Sequence, residues 1–256
     1  MQKSSTSIIL SPTDLANHLA CRHLSWLNYH ALHGGPKPSK SDDELADILR
    51  LYGAQHEQKY LAELTAKVAE LGQEVINLDA DRKDGDPYGV ETLRDRAQVT
   101  KEALAQGGNV LYQPTFFRED DNGIAWVGRA DFVVPVDSIA FEPEDTKLAR
   151  IAKVNAVLQL CSYAEHLGKI LDKDPEYIHV VTGSVEEGKV SVRLDEVSAY
   201  YRRIKEDLEL AVLEGFTGPS EPIPVDFCTI CRWNKDCNRT WREMDHLSFV
   251  AGLSNE

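Results

Sequence analysis

The stretch from residue 109 to residue 147 constrains this chain most, because it has the composition of consecutive strands and yet carries acids inside apolar surroundings. Residues 109–117 (NVLYQPTFF) are rich in β-branched and aromatic side chains, and 118–123 form a charged turn ending in Asn-Gly. Residues 124–136 (IAWVGRADFVVPV) and 138–147 (SIAFEPEDTK) read as two further strand regions. Three such runs joined by short polar turns predict an antiparallel meander. Downstream, the patterning predicts a helix at 154–170, strands at 177–182 and 190–194, and a helix at 196–214.

Upstream, a polar leader runs into Ile8-Ile9-Leu10. Ser11 is a suitable N-cap, Pro12 suits the first helical position and Asp14 sits where a capping box needs an acid, so a helix is expected from there to about residue 30. Residues 34–41 are loop by composition. Leu45, Ile48, Leu49, Tyr52, Tyr60, Leu61 and Leu64 recur at spacings of three and four, predicting a helix over 43–72. A strand at 75–78, a polar turn at 79–89 and a helix at 90–106 follow, and 216–245 reads as an irregular tail with three Cys and two Trp. The order of elements predicts an α/β fold.

Composition excludes several function classes. No apolar run approaches the roughly 18 residues that a membrane span needs, and the first residues lack a signal peptide's basic-then-apolar layout. Five Cys in 256 residues are too few for a disulfide scaffold, which argues for a reducing, cytoplasmic setting. A net charge of -14 argues against a protein that coats nucleic acid by bulk electrostatics.

The chemistry-bearing residues fall into three groups. In the first, Asp145 and Lys147 share one face of the third strand region, since side chains alternate along a strand. A carboxylate beside an ammonium can hold a hard divalent cation and orient a water next to it. The same acid-x-Lys spacing at Glu57–Lys59, Asp81–Lys83 and Glu187–Lys189 reads as solvated surface pairs. Asp131, embedded among Trp126, Val127, Phe132, Val133 and Val134, needs a charge partner or a metal. Adjacent strands can bring it to Asp145, and two carboxylates repel unless a cation or a proton bridges them. The plainer alternative is a buried Asp131–Lys147 ion pair. Glu142 and Glu144 differ from Asp145 in parity.

The second group is Gln159 and Tyr163, four apart on one helix face, with His56, whose neutral imidazole is a competent metal ligand. An amide and a phenol in that position can bind phosphate oxygens or orient Lys147. Glu57 is the rival of His56 but points about 100° away round the helix. The third group is Cys228-x2-Cys231-x5-Cys237, where closely spaced thiolates can clamp a soft metal. The fourth ligand could be Cys21 or Cys161, with His23 or His246 as imidazole options, and spacing leaves zinc and iron–sulfur both open.

Taken in order, Cys21, His56, Gly128-x-x-Asp131, Asp145-x-Lys147, Gln159-x3-Tyr163 and Cys228-x2-Cys231-x5-Cys237 resemble the RecB-like branch of the PD-(D/E)XK nuclease superfamily over roughly residues 8–240. The match is nearest to its iron–sulfur subgroup, which includes AddB-type nucleases and the exonucleases of CRISPR spacer acquisition. The phrase Leu10-Ser11-Pro12-Thr13-Asp14-Leu15 is similar to the opening of such proteins. The resemblance implies a restriction-endonuclease-like core, a mixed sheet flanked by helices, with an iron–sulfur staple joining the N- and C-terminal segments. It implies one nuclease domain over 1–245, with its core at 43–214 and cluster-binding segments at 11–30 and 226–245. The tail 246–256 would begin a further module.

By the same resemblance, His56, Asp131, Asp145 and the Thr146 carbonyl would bind Mg²⁺ or Mn²⁺, and Lys147 would position the attacking water. Gln159 and Tyr163 would support the site and touch DNA. Cys21, Cys228, Cys231 and Cys237 would hold a structural 4Fe–4S cluster, with zinc as the alternative. The partners implied are single-stranded or end-containing DNA and a helicase or further nuclease module. The superfamily's Pro-Asp appears here as Ala130-Asp131, and its last acid is Asp.

The acid excess is uneven. Between Cys228 and Arg242 the bases Arg232, Lys235, Arg239 and Arg242 oppose only Asp236. Arg232 and Lys235 are therefore the expected DNA contacts beside the cysteines, and affinity for DNA should be weak and steeply salt-dependent. Fluorescence titration with labelled DNA should show binding collapsing as salt rises from 50 to about 200 mM; tight duplex binding at the higher salt would contradict this.

Overall fold

The computed structural model describes residues 1–39, 44–81, 89–137, 139–149, 151–183 and 188–250. Several expectations lie wholly or partly outside what is described: the polar turn at 79–89, the Leu45 side chain, Ser138, the Lys83 and Glu187 arms of two acid-x-Lys triplets, and the end of the tail.

The chain begins with β1 (Gln2–Lys3) and β2 (Ile8–Leu10) and then enters α1 (Pro12–Ala20). Ser11 and Asp14 form the expected capping box, and the Met1 amino group reaches Asp14 at 2.5 Å. The single helix expected to residue 30 is instead two. Cys21 is extended (φ -162°, ψ 107°), its N–H closes α1 on Asn17 and its carbonyl accepts from Leu24 as α2 (Arg22–Leu32) begins. The backbone thus turns at the cysteine.

There follow α3 (Glu44–Ala69), β3 (Val75–Asn77), α4 (Val90–Gln106), β4 (Val110–Tyr112), β5 (Thr115–Glu119), β6 (Ile124–Arg129), β7 (Phe132–Pro135) and β8 (Phe141–Lys147). The last part holds α5 (Val154–Leu171), β9 (Tyr177–Thr182), β10 (Lys189–Arg193), α6 (Leu194–Leu213) and α7 (Asn234–Glu243). The tail is therefore less irregular than its sequence suggests.

The expected meander is also corrected. Its first two runs each break into two strands, and the halves enter different sheets. One sheet has the order β1-β2-β6-β5 and the other β10-β9-β8-β7-β4-β3. The break falls at Gln113-Pro114 on one ribbon and at Ala130-Asp131 on the other. Pro114 has no N–H to give to a ladder, and Gln113 takes φ 57°, a value unusual for a residue other than glycine. Two bonds hold the corner: Gln113 N–H to the Asp131 carbonyl at 2.8 Å and Ala130 N–H to the Pro114 carbonyl at 3.2 Å.

The second sheet is mixed: β8 runs parallel to β9 and antiparallel to β7, and β3 runs parallel to β4. Helix α5 packs on β8 and β9 and reaches β5 and β6, so it spans both sheets. The main core lies there, built on Leu111, Phe116, Trp126, Leu160, Leu167 and Val180. On the opposite face α3 lays Tyr60, Leu64 and Val68 against Val110, Tyr112 and Phe132. The arrangement is a mixed α/β fold whose sheets are flanked by helices. Among the described residues no helix is long and apolar enough to cross a membrane.

Phe132 is fully buried, with the Tyr60 ring edge-on at 5.2 Å and Tyr112 at 5.1 Å. Phe132→Ala should lower the unfolding free energy by about 3–5 kcal/mol in urea titrations; a loss below about 1 kcal/mol would mean that α3 does not dock as described.

Candidate active site and cysteine cavity

Alternation along β8 sorts its acids. Asp145 shares the parity of Phe141, which lies in the core under α5. Its side chain is 3% exposed. The Lys147 ammonium lies against Asp145 Oδ2 and pairs with it. Asp131 sits at the ribbon corner, half-buried, and its Oδ2 accepts from Thr146 N–H and Thr146 Oγ1, both at 2.7 Å. The buried Asp131–Lys147 pair is thus not what forms, since Lys147 pairs with Asp145 and Asp131 with Thr146.

Electrostatics tie these groups together. Burial, and then the Asp131 charge, push the Asp145 carboxyl up to about 7 against the pull of Lys147. Burial alone would lower Lys147, but Asp145, Asp131 and Glu57 outweigh it and hold the ammonium charged. Tyr163, buried on α5 and stacked on Phe116 at 6.3 Å, has its phenol driven well up by burial and then by Asp145 and Asp131. Gly128 of β6 makes room for that ring, because a Cβ there would stand 3.0 Å from Tyr163 Cδ1. Gln159 is half-buried one turn earlier and makes no side-chain hydrogen bond among the described residues.

Helix α3 crosses β8 with consecutive side chains falling to either side. His56 Nε2 lies 3.4 Å from the Val181 carbonyl on β9. Glu57 goes the other way, accepting from Tyr112 Oη at 2.8 Å and Gln113 Nε2 at 2.5 Å. Burial, and then Asp131, raise the Glu57 carboxyl. Glu57 is thus a third acid whose field reaches Lys147 and Asp131. Its exclusion by helical angle missed it, because the angle was referred to a single target and the site has two flanks.

The rival acids of β8 are engaged elsewhere. Glu144, 1% exposed, pairs with Lys189 and Tyr60. Glu142 accepts from Tyr177 N–H at 3.0 Å and meets His179 Nε2 at 2.7 Å.

At the other end of the molecule Cys21, Cys228, Cys231 and Cys237 line one small cavity with His23, Trp233 and Trp241 among its walls. Burial raises the Cys231 thiol, and burial followed by Cys231, Cys228 and Cys21 raises Cys237 to about 12. Cys161 lies apart, buried in α5. His23 is bonded to Ser220 and His246 to Ser248.

The ends of the chain are joined here by side chains. Asn28 Oδ1 of α2 accepts from Arg232 Nη2 at 2.6 Å and Trp233 Nε1 at 2.9 Å. Trp26 Nε1 donates to the Gly218 carbonyl at 3.1 Å. Arg232, expected at a DNA surface, is therefore occupied in part by Asn28.

Among the described residues no group of three or more His, Cys, Asp or Glu side chains is arranged to hold a metal ion, and the expected cluster staple is not shown. The donor chemistry nevertheless suits both groups. Asp145 is a buried carboxylate next to a second acid, Asp131, whose charge raises it despite Lys147, and a hard cation between two such acids would relieve that repulsion. Four thiols facing one apolar cavity can ionise together only beside a metal.

No protein-family model matches the chain, and no curated protein matches its sequence. Among solved structures, the chain is similar to SSO0001, at 16% identity and TM-score 0.42 over 93% of this chain and 89% of that one. It is also similar to a "putative exonuclease" from Eubacterium rectale, at 11% identity and TM-score 0.47 over 99% and 100%.

The raised Asp145 carboxyl fixes a sign for pH dependence. A carboxyl that holds its proton more tightly in the folded chain contributes stability that is complete below its ordinary value of 3.8 and is lost as pH rises through about 7. The buried His166, lowered to about 3, contributes in the opposite sense over that range, so the test is a comparison: in metal-free buffer, wild type should lose stability relative to Asp145→Asn as pH rises from about 4 to 7. Parallel profiles for the two proteins would contradict the burial of a charged Asp145.

Proposed function

We propose that the chain is a metal-dependent DNA nuclease that hydrolyses phosphodiester bonds, acting on single-stranded or end-containing DNA, more as an exonuclease than as a sequence-specific endonuclease. The observation that carries this reading is the buried Asp145, paired with Lys147 and lying in the field of a second acid, Asp131. The order of sequence motifs supports it.

In this reading Asp131, Asp145 and the Thr146 carbonyl would hold Mg²⁺ or Mn²⁺, with His56 on the β9 flank. The cation supplies charge stabilisation for the phosphate oxygens. The remaining work falls to the chain. Lys147, kept charged by three acids, orients the attacking water by donating to it. Tyr163, kept neutral, stands behind the acids as a rigid wall. Gln159 offers an amide to a phosphate oxygen. Cys21, Cys228, Cys231 and Cys237 are assigned to a structural 4Fe–4S cluster, and DNA contact beside it to Lys235 and Arg232. The partner is DNA, with a helicase or further nuclease module in cis or in trans, and the setting is cytoplasmic.

The test is degradation of end-labelled single-stranded and duplex DNA by the full chain with Mg²⁺, with Mn²⁺ and with chelator. Asp131→Ala and Lys147→Ala should each lower the cleavage rate by about a hundredfold or more, with fold checked by circular dichroism. Cleavage by both variants at the wild-type rate would remove the site assignment. DNA binding without turnover under either metal would leave a DNA-end-binding module. Anaerobic purification should give a brown protein with about four irons per chain; a colourless protein with stoichiometric zinc would replace the cluster by a zinc staple.

A further inference from the structure

The face of β8 opposite Asp145 carries a second constellation that the nuclease reading does not use. His179 of β9 lies between Ser191 of β10 and Glu142 of β8, with Nδ1 2.8 Å from Ser191 Oγ and Nε2 2.7 Å from Glu142 Oε2. Glu142 is itself fixed, because its other oxygen accepts Tyr177 N–H at 3.0 Å. A nucleophile bonded to a base, with the base oriented by a carboxylate, is the arrangement that activates a serine. Either imidazole nitrogen can serve as the base when the other donates to the acid. His179 is 8% exposed, whereas Ser191 is open to solvent, so the base is shielded and the nucleophile accessible.

The backbone adds a donor. Strand β10 is the edge of its sheet, and Ser191 stands opposite His179. Thr182 N–H bonds the Gly188 carbonyl and Leu194 N–H the Glu176 carbonyl, each at 3.0 Å, which fixes the alternation of bonded and unbonded pairs. Ser191 and His179 fall at an unbonded pair, so the Ser191 N–H points out of the sheet edge. A nucleophile's own N–H can stabilise the oxyanion formed on attack.

We propose that Ser191, His179 and Glu142 form a metal-independent acyl-transfer site whose substrates are activated carboxylic esters presented at the β10 edge. Ser191 Oγ bonds to the acyl carbon as its proton passes to His179 Nδ1, and the ester's C–O bond breaks with that proton going to the departing alcohol. Water then attacks the acyl-serine by the same route, releasing the carboxylic acid and restoring the Ser191 hydroxyl. Nothing in this step depends on the nuclease reading, and either can fail alone.

The full chain, kept in chelator, is incubated with a fluorophosphonate probe and separately with p-nitrophenyl acetate. The expected result is one probe per chain, found by mass spectrometry on the Ser191 peptide, with ester turnover above buffer. Ser191→Ala should abolish both, and His179→Gln should slow both by about a hundredfold or more. Circular dichroism checks each variant. Should His179→Gln fail to fold, Ser191→Cys keeps the question open to test, since its thiol should alkylate faster than free cysteine at pH 7. Labelling absent from Ser191, or equally fast in folded His179→Gln, would overturn the proposal and leave a cross-strand hydrogen-bond row, as would a Ser191→Cys thiol no faster than free cysteine.

Discussion

A carboxylate buried inside a mixed sheet is the constraint around which this molecule is arranged. Asp145 is almost wholly removed from water, and its charge must be met by what surrounds it. Lys147 meets part of it from two residues along the same strand face. Asp131, brought in at the corner of a broken ribbon, works against it. Helix α5 closes the space above with Tyr163, and Gly128 is small where that ring needs to approach. The same elements make the main core, so the polar group and the packing that shields it cannot be separated.

The strand that carries Asp145 carries two further acids, and each is answered from a different direction. Glu144 is met by α3 and β10, and Glu142 by β9. The alternation of the strand assigns the faces, and neighbouring strands supply the partners. One seven-residue strand therefore serves two chemically distinct surfaces, one under α5 and one turned to the α3 side.

The ends of the chain follow a similar logic with softer groups. Turning at Cys21 gives two short helices, and the second offers Asn28 to Arg232 and Trp233 of the C-terminal segment. Those bonds place four thiols around one cavity. Burial, and then the neighbouring thiols, hold Cys237 protonated, so the four could ionise together only beside a metal.

Much of the fold was legible in the sequence because it depends on local rules. The capping box at Ser11 and Asp14, helix α4, helix α5 and strand β9 are set by periodicity and by end signals within a few residues. The parity that separates Asp145 from Glu142 and Glu144 is also local, being a property of any strand. The split of the meander into two sheets was not legible, since a single Pro and a left-handed Gln113 redirect strands that are equally apolar on both sides of the break. Glu57 was missed because its relevance depends on which strands lie beneath α3. The pairing of Ser191, His179 and Glu142 escaped for the same reason, as three strands remote in sequence must be aligned in register before the side chains meet. The sequence by itself determined which residues could carry charge, bind metal or cap a helix, because those are properties of residue type and spacing. Only the tertiary structure decided which of them share a face and a field, because that depends on register, burial and the turn of the chain at two corners.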